Sequence, residues 1–166
     1  MPAESGAGGE ILYEERHSFP WWIHVLMLGL LVLYTLAIVY AVKRGRWSLT
    51  EYFISAAVVL LILTYINFFI LVFKITGQQV VFGFGVFKKR MERSLLVSCE
   101  PFRLEFANYG GYGIRWGRDG TIAYNARNGP GVRMVFKGSK RPYVVSIDGV
   151  GRVCEMLSSP GGPAAG

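Results

Sequence analysis

The sequence predicts an α+β membrane protein: a transmembrane hairpin of two helices, then a small all-β domain closed by a short C-terminal helix. Three observations carry this expectation. Residues 21–42 and 52–73 are two runs of 22 in which His24 is the sole ionisable side chain. After Lys74, short apolar stretches alternate with turn signals roughly every 8–12 residues, the spacing of a small barrel or sandwich. The 166 residues are 52% hydrophobic and 17% charged, yet carry a net charge of +7. An average soluble domain is about 25% charged. Such a chain is too apolar for intrinsic disorder. Two cysteines are too few for a disulfide scaffold or a four-ligand zinc site.

Residues 1–20 form an acidic N-terminal segment, with Glu4, Glu10, Glu14 and Glu15 against Arg16. That sign is wrong for a signal peptide, and the apolar run after it exceeds the usual h-region of about 7–15 residues. Lys43-Arg44-Gly45-Arg46 follows where cleavage would need small residues. The first run is therefore read as an uncleaved span. At about 1.5 Å per residue each run is roughly 33 Å long, enough for a hydrocarbon core of about 30 Å. The spans are placed at about 21–43 and 49–74 within a hairpin of 21–73.

The span ends carry their own signals. Pro20 suits a helix start, where its missing N–H costs nothing. Ser48-Leu49-Thr50-Glu51 has the spacing of a capping box, and Trp47 with Tyr52 the spacing of its hydrophobic staple. Phe19, Trp21, Trp22, Phe69 and Phe73 mark one membrane surface; Tyr40, Trp47 and Tyr52 mark the other. The short loop offers Lys43, Arg44 and Arg46, whereas the terminal side offers Arg16, Lys74, Lys88, Lys89, Arg90 and Arg93 near a span end. Six cations against three place both termini in the cytoplasm of a cell (inner) membrane, with the short-loop cluster as counter-signal. Thr35, Ser55, Thr64 and Asn67 are the polar residues within the spans. With no acid or base at mid-membrane and only two helices, an ion pathway is not indicated.

The β domain is expected over 74–157. Gly77 and Gln78 separate strand candidates 74–76 and 79–82, and Pro101 separates 94–98 from 103–106. Residues 114–116 lead into Asp119-Gly120, a strong turn signal. Residues 121–126, 132–136 and 141–147 read as further strands, 150–157 as the terminal helix, and 158–166 as a disordered tail.

Tyr109-Gly110-Gly111-Tyr112-Gly113-Ile114-Arg115, Ala123-Tyr124-Asn125, Asn128-Gly129 and Gly131-Val132 together resemble small prokaryotic membrane proteins with a bacterial PH-like domain. Val81-Phe82-Gly83-Phe84-Gly85-Val86-Phe87 and Tyr13-Glu14-Glu15 are similar as well. The resemblance covers most of 13–157. It implies a barrel-like fold of about seven strands closed by a C-terminal helix, and it implies no activity. One departure is Val145-Ser146-Ile147-Asp148-Gly149 where relatives carry a Gly-Ser-Gln-type stretch, which leaves the closing junction open.

The glycine motif has three physical readings, one of them a loop that contacts another protein. Gly110, Gly111 and Gly113 can form a bulge or tight corner packed by Tyr109 and Tyr112. Alternatively, its amides with Arg115 and Arg118 can hold an anion such as a lipid phosphate. Lys88, Lys89, Arg90 and Arg93 form a juxtamembrane basic cluster, and such residues attract anionic headgroups at roughly 1 kcal/mol each. The net charge is −3 over 1–20, +2 over 43–51 and +8 over 74–166. A charge divided in this way is not a nucleic-acid surface.

No catalytic or metal set is evident. His17 and His24 precede the domain, and Cys99 and Cys154 lack a nearby base. The acids Glu92, Glu100, Glu105, Asp119, Asp148 and Glu155 are scattered. In a cytoplasmic domain both thiols stay reduced. The expected function is a cofactor-free binding or assembly module at the cytoplasmic membrane surface, with anionic lipid as partner. The alternative is an accessory or scaffold subunit, whose hairpin packs on a membrane-protein partner or a second copy through Asn67, Ser55, Ala56 and Ala57.

Overall fold

The computed structural model describes residues 10–45 and 48–158. In chain order the elements are β1 (Ile11–Ser18), α1 (Trp21–Arg44), α2 (Leu49–Phe68), β2 (Ile70–Thr76), β3 (Gln79–Phe84) and β4 (Phe87–Glu92). A 3-10 turn (Arg93–Leu95) leads to β5 (Leu96–Leu104), α3 (Phe106–Tyr109), β6 (Gly113–Trp116) and β7 (Ile122–Asn125). Then follow β8 (Gly129–Phe136), β9 (Tyr143–Ser146) and α4 (Val150–Ser158).

Helices α1 and α2 are long and apolar enough to cross a membrane. They are not core helices of a soluble domain, since only 11% and 0% of their most apolar windows are buried. Helix α1 stops at Gly45, whose φ of +68° suits a residue without Cβ, and its N–H bonds Val42 O at 3.0 Å. Helix α2 starts with the expected capping box, in which the Ser48 N–H donates to the Glu51 carboxylate. The proposed staple partner Trp47, with Arg46 and the tail from 159, lies outside the described residues.

The second span is shorter than its hydropathy predicts. Helix α2 ends at Phe68, and Ile70 to Phe73, expected inside the membrane, begin β2. Hydropathy cannot separate a span's last turn from a buried strand, because both are apolar on every side. The register does separate them: Leu71, Phe73 and Ile75 alternate into the core and are fully buried.

Nine strands among the described residues form two open sheets, not one closed barrel of about seven. The first has the order β1-β2-β3-β4, all antiparallel. The second has the order β5-β8-β9-β7-β6, with β7 and β9 parallel. Strand β1 lies before the hairpin in sequence, and β4 is the basic stretch, where no strand is expected from the sequence. Pro101, expected to separate two strands, sits inside β5. That is tolerated because β5 is an edge strand, where a missing N–H costs no ladder bond.

The sheets share one core. Phe82 of β3 meets Tyr124 and Tyr143 of the second sheet at ring-centroid distances of 5.1 and 5.4 Å. Val153 and Leu157 of α4 pack into the same cluster. Leu104, Ala123 and Val144 bury the second sheet's other face beneath Tyr109 and Phe102. Cys99 of β5 and Cys154 of α4, expected as separate thiols, form a disulfide with Cα atoms 5.4 Å apart.

Candidate membrane-surface site

The first sheet grows directly out of the apolar helices. Phe19 and Pro20 alone separate β1 from α1, and Phe69 alone separates α2 from β2. Side chains alternate across a strand, so the residues that do not feed the core face outward together. The register then defines two outward rows. Of the rows that cross all four strands, Arg16, Val72, Gly83 and Lys88 lie nearer the helices and Glu14, Lys74, Val81 and Arg90 farther, with the Ser18–Ile70 pair inside them and the Gln79–Glu92 pair beyond. This face carries four cations and one acid in these rows. Glu14 accepts from Arg16 Nε at 2.6 Å and pairs with Lys74 at 3.0 Å. Burial alone would raise the Glu14 pKa, but the bonds from Lys74 and Arg16 outweigh it and hold the carboxyl below its usual range.

The predicted site residues do not form one surface. Lys88 and Arg90 share the outward face, whereas alternation sends Lys89 to the opposite face of β4. Arg93 donates to the Met156 carbonyl and so pins α4. Arg115 Nε donates to Tyr112 O at 2.9 Å, and Arg115 lines a cleft of about 290 Å³ between the helices and β6. Arg118 is exposed in the β6–β7 turn.

The glycine motif joins the second sheet to the base of the helices. Tyr112 packs on Phe19, Trp22 and Phe106 at 6.0, 6.3 and 5.5 Å. Gly113, at φ +95°, lies against the Phe68 ring. Tyr109 and Thr121 share a hydroxyl bond of 3.1 Å, Asn125 Nδ2 donates to Gly111 O at 3.1 Å, and Gly110 terminates α3. Burial raises the Tyr109 and Tyr124 phenols above their ordinary pKa.

Phe84-Gly85-Val86-Phe87 forms a tight β3–β4 turn docked on the end of α2. The Val86 N–H donates to Asn67 Oδ1 at 2.9 Å. A Cβ on Gly85 would sit 2.7 Å from Asn67 Cγ, so only glycine fits there. Sequence reasoning treated Asn67 as a helix-contact residue and Arg16 as a topology signal; the fold brings both to this junction. The usable signal was the Gly-Phe-Gly spacing, since glycine permits the close backbone approaches found at Gly83 and Gly85.

A second polar cluster caps α4. Glu15 accepts from Tyr13 Oη at 2.5 Å, from Asp148 N at 2.6 Å, from Gly149 N at 3.3 Å, and contacts His17 Nε2. Burial would raise the Glu15 pKa, but these donors overcome it and lower the pKa. Tyr13 is pushed up to about 12, first by burial and then by its bond to Glu15. Glu15, His17 and Asp148 are close enough to share a cation. Four donors already occupy the Glu15 oxygens, and Asp148 pairs with Arg127. The cluster acts as a helix cap that ties β1 to α4.

No family model matches the chain, and no curated protein or solved structure matches it.

Proposed function

We propose that the protein is a membrane-anchored binding or assembly module whose first sheet presents a cationic face to anionic lipid headgroups. The observation carrying this reading is the one-residue connection from α2 to β2, which keeps the start of the sheet at the helix end. At about 3.3 Å per residue, the Arg16–Lys88 row lies roughly 7 Å beyond Ile70 and the Arg90 row roughly 13 Å. A headgroup layer is about 5–7 Å thick, and the Debye length is about 8 Å at physiological salt. The nearer row therefore sits at headgroup level and the farther row within reach of its field. Exposed Val86 and Phe87 on the turn, with Trp21, Trp22 and Phe69, supply apolar interfacial anchors beside it.

The chain's two ends share one side of the membrane. Counting cations alone places that side in the cytoplasm, but a disulfide persists in oxidising compartments. We assign greater weight to the covalent bond, because the cations are divided between both sides. The β domain then lies outside the cytoplasm and Lys43, Arg44 and Arg46 within it, the placement that short loops favour. This reverses the orientation expected from the count. A reporter fused after Leu157 is expected to be active only outside the cytoplasm; cytoplasmic activity overturns the assignment.

The headgroup reading is tested on the full chain extracted in mild detergent, with retained lipids measured by mass spectrometry. Anionic lipids should be enriched over zwitterionic ones and depleted when Lys88 and Arg90 become Gln. Equal retention by both proteins would refute it. The scaffold reading draws support from the helices themselves, where only Met27 and Ala41 are buried. Its proposed contact residue Asn67 is already engaged by Val86. A stable co-purifying membrane protein in the same extraction would favour it.

A further inference from the structure

We propose that the cleft bounded by Arg16, Asn67 and Lys88 is a phosphate-oxyanion site, occupied by the phosphate of a phospholipid headgroup. This deepens the headgroup reading and rests on it, because it turns a diffuse cationic face into one stereospecific site. The cleft holds about 200 Å³ and is also lined by Phe69, Val72 and Gly85.

Its shape follows from the strand register. Arg16 and Lys88 stand on the two outer strands of one four-residue row, three strand spacings or roughly 14 Å apart at the backbone. Between them lie Val72, which is short, and Gly83, which has no side chain. A Cβ on Gly83 would crowd the Phe87 carbonyl and lie 2.8 Å from Lys88 Cα. The floor between the two cations is therefore kept low by packing.

Its chemistry follows from Asn67. Because Oδ1 accepts the Val86 N–H, the orientation of the amide is fixed. Its Nδ2 is buried with no partner among the described residues. An unpaired buried donor is uncommon and points to an acceptor such as an ion or a ligand. Arg16 gives its Nε and one terminal nitrogen to Glu14 and keeps further N–H donors. Among the described residues Lys88 has no carboxylate partner. The Arg16, Lys88 and Asn67 side chains line one cleft and bring it donors but no free side-chain acceptor. A phosphate supplies acceptor oxygens and negative charge together. Ile66, Phe69 and Ile70 on the helix side of the cleft are the apolar edge that an attached acyl chain would meet.

Native mass spectrometry of the full chain, titrated with phosphatidylglycerol in mild detergent, tests this. The native protein should bind one lipid tightly. Arg16→Gln with Lys88→Gln should weaken that adduct by about tenfold or more. Lys89→Gln, on the opposite face of β4, should change it by less than about threefold. Asn67→Asp keeps the acceptor for Val86 while replacing the orphan donor with a negative group, and should also weaken the adduct. Near-UV circular dichroism checks that each variant is folded. Excess inorganic phosphate distinguishes the sources: no displacement of lipid supports the headgroup, and displacement assigns the site to free phosphate. If Lys74→Gln with Arg90→Gln loses lipid and Arg16→Gln with Lys88→Gln does not, the cleft is overturned while the headgroup reading stands. If no variant loses lipid, both are overturned.

Discussion

Breaking the Cys99–Cys154 bond is the perturbation whose magnitude follows most directly from the fold. The bond joins β5 to α4 across a sequence separation of 55 residues. In the chain-entropy treatment, a loop of that length restricts the unfolded chain by about 14 cal/mol/K, or roughly 4 kcal/mol at 25 °C. The Cα separation of 5.4 Å is ordinary for a bridged pair, so the folded domain need not rearrange when the bond is cut. Val153 and Leu157 still hold α4 on the core. For a β domain of about 100 residues, each kcal/mol moves the midpoint by about 4–8 °C. Full reduction should therefore lower Tm by roughly 15–30 °C. The assay is thermal unfolding of the full chain in detergent, followed by near-UV circular dichroism with and without a phosphine reductant. Cys99→Ser with Cys154→Ser provides the covalent control. Thiol titration of denatured protein should find no free thiols before reduction and two after it. Two alkylatable thiols in protein taken directly from membranes, or an unchanged Tm after complete reduction, would refute the reasoning. Either result would also remove the ground for placing the domain outside the cytoplasm.

Other consequences can be measured on the same preparation. The Glu15 pKa is lowered in the folded protein, so its contribution is present above the ordinary carboxylate pKa and lost as pH falls; Glu15→Gln should flatten Tm against pH below about 4.5. Tyr13 behaves oppositely: held neutral with a pKa of about 12, it contributes stability below pH 10 that disappears towards pH 12, and Tyr13→Phe should remove that loss. Gly85→Ala combines a φ of +40° with a Cβ driven into Asn67 and should cost at least ~2 kcal/mol, read as a lower Tm. Tyr112→Ala removes three aromatic contacts and should cost about 2–4 kcal/mol, with faster proteolytic cleavage around residues 106–112.

The helices, the capping box and most later strands were legible because each has a local signal: an apolar run, a Ser-x-x-Glu spacing, or turns such as Asp119-Gly120. Strand β1 was hidden because its acids and cation interrupt the apolar alternation that marks a strand. In the fold Glu14 pairs with Lys74, and Glu15 caps α4, 133 residues away from Asp148. Strand β4 was hidden because Lys88, Lys89 and Arg90 override the usual apolar alternation on an edge strand. The basic cluster was recognised as a group, but only the register shows that Lys88 and Arg90 face one way and Lys89 the other. The Cys99–Cys154 pairing and the Arg16–Asn67–Lys88 cleft depend on long-range register, which no local spacing encodes.

The central claim, that the first sheet stands on the membrane surface with its β3–β4 turn in the interface, is tested most directly by depth measurement with spin labels. Labels at Val86→Cys and Gln78→Cys mark opposite ends of β3, about 25 Å apart along the strand. The native cysteines are bonded to each other and leave the new thiol free for labelling. In lipid nanodiscs the Val86 label should be more accessible to oxygen than to a water-soluble nickel chelate, and the Gln78 label should show the reverse. Equal, water-like accessibility at both positions would contradict the account.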